Sequence, residues 1–226
     1  MSQPILKIIT TEDGSHSLYR EDINETYHSS HGARAESQHI FIKTGLEYLL
    51  FEKGKKDLKI FEVGFGTGLN ALLAALFGFE NKVKIDYHSI EPIPVGEEIY
   101  AKLNYGTDQI STDLLKNIHA APWAKTEQLN AFFKLTKYET TIEAFDQTEA
   151  FDIIFFDAFA PSKQPEVWAL ANIQKCYNIL KPGGILNTYC AQGQFKRNLK
   201  AVGFEVECPP GAMGKRQMVR AVRLGT

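Results

Sequence analysis

Cysteine is scarce and scattered. Cys176, Cys190 and Cys208 are the three in the chain. They form no C-x-x-C pair and no Cys/His spacing of a zinc site, and an odd, dispersed set excludes a disulfide framework and fits a reducing compartment. No run reaches the roughly 18–20 apolar residues of a membrane span. The opening MSQPILKIITTEDGS lacks the basic segment and apolar core of a secretory signal. Internal repeats and low-complexity blocks are also missing. There is no excess of positive charge: 25 Lys+Arg stand against 27 Asp+Glu, for a net charge of −2. That excludes a strongly basic, non-specific polyanion binder but leaves room for a local basic face. A soluble, cytoplasmic protein without membrane attachment is expected, with a monomer as the default and no protein partner indicated.

What is present is a 226-residue chain, 44% hydrophobic, enough for one sizeable core. Residues 5–10 and 18–20 flank Asp13-Gly14 as a hairpin, and 35–51 reads as a helix with Ile40, Ile42, Leu46 and Leu49 near one face. Lys53, Lys55 and Lys56 stand in a charged loop. From there strands (60–63, 83–90, 132–138, 151–157, 185–189) alternate with helices (70–79, 95–103, 109–118, 166–180, 194–202), and 204–208 and 218–223 close as a hairpin. Alternation of this kind predicts an α/β fold, a mostly parallel sheet covered on both faces. Residues 1–52 read as an extension packed on a core of 53–226.

The first chemical motif is Glu62-Val63-Gly64-Phe65-Gly66-Thr67-Gly68-Leu69-Asn70. It follows a strand and opens a helix, where ligands sit in open α/β sheets. The third glycine of a dinucleotide fingerprint is missing, because position 69 is Leu. The preceding carboxylate of Glu62 suits the ammonium of a methionine moiety and would repel a pyrophosphate. The expected cofactor is therefore S-adenosyl-L-methionine, without a metal. Glu91, ending the second strand, is placed to accept both ribose hydroxyls. The turn near residues 139–142 should line the adenine, with Thr141 as the position taken.

A second acid, Asp157, ends a nearly continuous apolar strand and opens Ala158-Phe159-Ala160-Pro161-Ser162-Lys163, followed by Pro165-Glu166-Val167-Trp168. This segment resembles the D-A/G-F-A-P-x-K-x-P-E/D-x-W signature of MnmC-type tRNA 5-methylaminomethyl-2-thiouridine methyltransferases. Asp13-Gly14-Ser15-His16-Ser17-Leu18-Tyr19, Tyr27-His28-Ser29 and Glu36-Ser37-Gln38-His39 are similar to the family's N-terminal extension, and residues 210–218 to its tail. In the adenine turn the family often carries Gly-Asp where this chain has Thr140-Thr141. The fused FAD-dependent oxidase of two-domain members has no counterpart here, so no flavin is expected.

The resemblance implies a Rossmann-like class I methyltransferase acting on the aminomethyl group of 5-aminomethyl-(2-thio)uridine in the tRNA anticodon loop. A primary alkylamine has a pKa of about 10, so the site must hold its neutral form and accept a proton. Asp157 is expected to bind and orient the amine. Tyr27 and Glu36 would close over the cofactor; Phe159, Lys163, Trp168, Lys215 and Arg216 would contact the RNA, with Phe159 stacking on a base. Trp168 also reads as helix packing. His16, His28, His31 and His39 read as structural or solvated. A basic rim is expected from Lys196, Arg197, Lys200, Lys215, Arg216, Arg220 and Arg223, with Lys163 and residues 53–56. The alternatives are a small-molecule amine methyltransferase, an aminopropyltransferase, or a non-catalytic tRNA-binding protein. The aminopropyl reading lacks a second acid just after Asp157.

Overall fold

The structure, a computed structural model, describes residues 4–146, 151–212 and 216–225. It opens with β1 (Leu6–Thr10) and β2 (His16–Arg20), antiparallel with Thr10 opposite His16. Asp13 builds the turn: its Oδ1 accepts from the Ser15 amide and from the hydroxyls of Thr11 and Ser15. Burial opposes the charge, but these hydrogen bonds win and hold the Asp13 carboxyl at about 2. A short β3 (Glu25–Thr26) pairs with β2.

α1 (Ala33–Ser37) continues without a break as a π-helix over Gln38–Glu52. The expected α-helix is therefore present as an element but wider in form. Asn187 accounts for part of this: fully buried, it donates its Nδ2 to the Ile40 carbonyl and to Thr44 Oγ1. Thr44 Oγ1 itself donates to the same carbonyl. Side chains thus occupy the acceptor an α-turn would use.

The main sheet comprises β4 (Asp57–Val63), β5 (Lys84–Ile90), β6 (Thr126–Asn130), β7 (Phe133–Tyr138), β8 (Phe151–Phe156), β9 (Leu180–Thr188), β10 (Phe204–Glu207) and β11 (Val219–Arg223). Among the described residues its order is β10-β11-β9-β8-β4-β5-β7-β6. The inner strands run parallel; β10, β11 and β6 are antiparallel to their neighbours. β8, with sequence FDIIFF, is buried at every position, as a central strand covered on both faces must be. The π-helix, α2 (Leu69–Asn81) and α4 (Gln109–Ala120) cover one face; α5 (Leu170–Ile179) and α6 (Gly193–Val202) cover the other. The α/β class, the mostly parallel sheet and the terminal hairpin all follow the sequence reading.

Three local expectations change. The helix predicted over 95–103 shrinks to α3 (Glu97–Tyr100), hemmed in by Pro94 and Gly96 before it. β6 was not anticipated, because an edge strand of sequence TEQLN carries no apolar alternation. The helix predicted over 166–180 starts at Leu170, and β9 begins at once at Leu180. Its register against β8 jumps from Phe151–Leu180 to Ile153–Ile185, so Lys181-Pro182-Gly183-Gly184 bulges within the strand rather than ending the helix as a free loop.

Beneath the main apolar cluster lies a buried cation. Lys137 is 1% exposed and donates to the Ile118 and His119 carbonyls at 2.9 and 2.7 Å, capping α4. Its Nζ also sits over the rings of Phe65 and Trp123. Burial pushes Lys137 down to about 8. The unfolded chain, with a lysine pKa of about 10.4, therefore binds more protons between these values, and stability should rise with pH across that window. Urea unfolding of the wild type and Lys137→Met should show a difference that shifts in the wild type's favour from about pH 8 to 10.4. A pH-independent difference would contradict this assignment.

Candidate functional site

The carboxyl ends of β4, β5, β7 and β8 open onto a cavity of about 410 Å³, within the usual size of a small-ligand site. The loop after β4 forms its floor. At Gly64 φ is +94°, and a Cβ there would lie 2.5 Å from the Asp157 carbonyl oxygen. The Asp157 amide donates in turn to the Val63 carbonyl at 3.0 Å. Only glycine lets the tips of β4 and β8 approach this closely. His119 supports the loop from below, with Nε2 placed 3.0 Å from the Thr67 carbonyl and its ring stacked on Tyr100. Phe65 lines the cavity and meets the edges of His119 and Trp123.

Glu91 stands at the tip of β5, at the cavity wall. Its two oxygens accept from the amides of Gly66 at 3.1 Å and Ile93 at 3.0 Å. Burial raises its pKa, and those amides and the charge of Arg20 offset the rise. An acid fixed this way at a strand end, with Ile90, Ile93 and Ile142 around it, is suited to a ribose diol beside an apolar base slot. Thr141 lines that same slot. The donor set holds oxygen and aromatic groups, and among the described residues no cluster of His, Cys, Asp and Glu has the makings of a metal site.

Asp157 lines the cavity at the tip of β8, and its Oδ2 accepts from Asn70 Nδ2 at 2.8 Å. Glu62, by contrast, is wholly buried behind the loop and is not part of the cavity wall. Its Oε2 accepts from Ser89 Oγ at 2.6 Å. Burial pushes Glu62 up to about 8, with the Asp157 charge adding to the rise and the Ser89 hydrogen bond opposing it.

The N-terminal extension forms the opposite wall. Tyr27 meets Phe159 edge to face, at 4.9 Å between ring centres. Arg20 lines the cavity, donates to both oxygens of Asp22, and places its guanidinium 5.7 Å from the Phe159 ring. His28 also lines the cavity, and burial lowers it to about 4, so it is neutral near pH 7. Glu36 is buried outside the cavity and accepts from the Ser29 amide; it braces the segment that carries Tyr27.

Several expected RNA contacts have structural roles instead. Trp168 is 5% exposed, packs against Phe156 and Phe195, and donates Nε1 to the Phe159 carbonyl at 2.7 Å. It shows no face to the cavity; it positions Phe159. Lys163 Nζ donates to the carbonyls of Ile23 and Asn24, clasping the extension to the Asp157 loop. Arg220 pairs with Glu207 and stacks on Tyr48, and Arg223 donates to the carbonyls of Tyr177 and Leu180. Lys55 pairs with Asp152 near the starts of β4 and β8, the sheet edge opposite the cavity, so residues 53–56 are not part of a rim around it. Arg216 is exposed; Lys215 falls outside the described residues.

Sequence reasoning did not find Arg20, Ile93, Glu143 or Gln164, which also line the cavity. Arg20 carries no local motif, and only the fold of the hairpin brings it there. For the floor itself the geometry makes a sharp prediction. Gly64→Ala meets both a positive φ and the Asp157 carbonyl, so it should cost at least about 2 kcal/mol in urea unfolding. A variant within about 0.5 kcal/mol of wild type would contradict the close approach.

Comparisons with known proteins bear on the fold and the family. Residues 103–224, more than half of the chain, match a family model described as S-adenosyl-L-methionine-dependent methyltransferase. The tRNA 5-methylaminomethyl-2-thiouridine biosynthesis bifunctional protein MnmC of Cupriavidus necator is 29% identical over 231 residues, covering 97% of this chain and 34% of that protein. The protein of the same name from Leptospira interrogans is 27% identical over 212 residues, covering 88% and 32%. The chain thus spans about a third of the length of the curated relatives it matches. The crystal structure of MNMC2 from Aquifex aeolicus matches with a TM-score of 0.81 at 24% identity, over 100% of this chain and 72% of that one. Spermidine synthase from Thermotoga maritima shares the fold more loosely, with a TM-score of 0.55 at 12% identity, over 99% and 70%. With a glycine loop, a strand-end acid and a cavity between them, and with the family model spanning β6 to β11, the chain belongs to the S-adenosyl-L-methionine-dependent methyltransferases.

Proposed function

We propose that this methyltransferase acts on the primary amine of 5-aminomethyluridine, with or without a 2-thio group, at the wobble position of a tRNA anticodon loop. The observation that carries the reading is the placement of Asp157 beside an aromatic pair, Tyr27 and Phe159, in the cavity wall. The names of the relatives point to the same modified base. A cytoplasmic site of action follows from a tRNA substrate.

S-adenosylmethionine, when bound, supplies a methyl group on a sulfonium. Glu91 would hold its ribose, the loop of Gly64, Gly66 and Gly68 would lie against it, and Thr141 and Ile142 would line the base slot. The chain's own work is to hold the acceptor amine neutral and in line. Asp157 would accept a hydrogen bond from that amine and take its proton, directly or through water. A carboxylate by itself raises an amine's pKa, so removal of water by Tyr27 and Phe159 must offset this. Phe159 offers a face for the base, since unpaired RNA bases are held on aromatic rings. Among the described residues of the C-terminal region, Lys196, Arg197 and Lys200 on α6, with Arg216, are cations suited to phosphates.

The test is methyl transfer from labelled S-adenosylmethionine to tRNA carrying 5-aminomethyluridine, with nucleosides read by mass spectrometry. Wild type should form 5-methylaminomethyluridine. Asp157→Ala should lose at least about 100-fold in kcat, and Phe159→Ala should weaken tRNA more than cofactor. Glu91→Ala should weaken cofactor binding by about tenfold or more. Unmethylated tRNA beside tight cofactor binding would overturn the substrate assignment.

A further inference from the structure

The glycine loop at the floor of the cavity has few donors left for an anion. Loops of this kind cradle phosphates when their backbone N–H groups point free into the site. Here the Gly64 and Phe65 amides both donate to the Ile90 carbonyl at 3.1 Å, the Gly68 amide donates to the Phe65 carbonyl at 2.9 Å, and the Gly66 amide donates to Glu91 at 3.1 Å. The side chains are mostly acidic. Glu91, Glu143, Asp157 and Glu166 line the cavity, and burial keeps His28 neutral. Among the described lining residues Arg20 is the one Lys or Arg. S-adenosylmethionine brings a carboxylate on its methionine end, and a carboxylate taken out of water needs a cation or hydrogen-bond donors.

Arg20 can supply both. It ends β2, and its side chain is 17% exposed. Nε and Nη2 donate to the two oxygens of Asp22 at 2.9 Å each. That pairing fixes one edge of the guanidinium. Nη1 has no partner among the described residues, so Nη1 and the second N–H of Nη2 remain for a second carboxylate. The guanidinium carbon lies 5.7 Å from the centre of the Phe159 ring, and Phe159 packs against Tyr27, whose ring lies over Gly66. With the ribose on Glu91 and the methyl group directed at Asp157, the methionine chain of the cofactor runs along the glycine loop, under these side chains.

We propose that Arg20 is a specificity-determining residue that grips the methionine carboxylate of the cofactor and so selects it over its decarboxylated form. Asp22 holds the guanidinium beforehand, so little side-chain freedom is lost on binding. The decarboxylated molecule is the donor for aminopropyl transfer, and it lacks the group that Arg20 reads. Discrimination thus comes from the N-terminal extension and not from the glycine loop. The proposal rests on the cavity holding the cofactor and is independent of the tRNA substrate.

The test compares two probes by titration calorimetry on the whole chain: S-adenosylhomocysteine, and S-adenosyl-3-thiopropylamine, the same molecule without its carboxylate. Wild type should bind the first at least about tenfold more tightly, as a hydrogen bond to a charged group gives. Arg20→Met should lose that factor toward S-adenosylhomocysteine and bind the carboxylate-free probe within about twofold of wild type, so that its preference disappears. Arg20→Lys, which keeps the charge without the planar fork, should fall between the two. If Arg20→Met does not fold, the wild-type preference and the lysine variant decide. A wild type that binds both probes equally overturns the proposal. So does an Arg20→Met variant that keeps its preference, including one that loses only tRNA affinity, which would put the guanidinium on an RNA phosphate instead. Glu91→Ala should weaken both probes alike, because both carry the ribose; if it weakens neither, the cavity reading fails and the proposal falls with it.

Discussion

Everything at the site hangs on the contact between the tips of the two central strands. The Asp157 amide reaches the Val63 carbonyl, and its own carbonyl lies against Gly64 where no side chain fits. That approach turns the loop after β4 into a floor and places the Asp157 side chain above it. It also brings Asn70, in the first turn of α2, within 2.8 Å of the Asp157 carboxyl. The last four residues of β4 and all of β8 are buried, so the arrangement is set by the two central strands.

The N-terminal extension completes what the core leaves open. Here Tyr27 meets Phe159 and lies over Gly66, Arg20 lines the cavity beside the Phe159 ring, and Lys163 clasps the backbone of Ile23 and Asn24. The Asp157 loop is held from the other side by Trp168 and by Tyr189, whose hydroxyl donates to the Ala158 carbonyl. Trp168 and Tyr189 act on backbone carbonyls of the loop, and Lys163 reaches from the loop to backbone carbonyls of the extension, while the Asp157 and Phe159 side chains line the cavity.

Backbone-level features were legible in the sequence. The strand–glycine–helix context located the floor, the end of an apolar strand located Asp157, and the end of the previous strand located Glu91. Each of these depends on chain direction and period alone. Side-chain orientation was not legible. Glu62 sits where the pattern places it, but alternation along β4 turns it behind the loop. Trp168 and Lys163 belong to the motif yet spend their donors on backbone carbonyls. Lys55 lies far from the cavity because it precedes β4 and pairs with Asp152 near the start of β8. β6 has no periodic signal because its edge position exposes most of it.

The central claim is that the cavity between the glycine loop, Glu91 and Asp157 is where the cofactor is held. A crystal structure of the chain with S-adenosylhomocysteine tests it most directly. The account predicts the nucleoside in this cavity, its ribose hydroxyls on Glu91, its base against Ile93 and Ile142, and Glu62 out of contact. The product bound elsewhere, for instance in the lysine-lined groove at the opposite sheet edge around Lys59, Lys84 and Lys134, would contradict it.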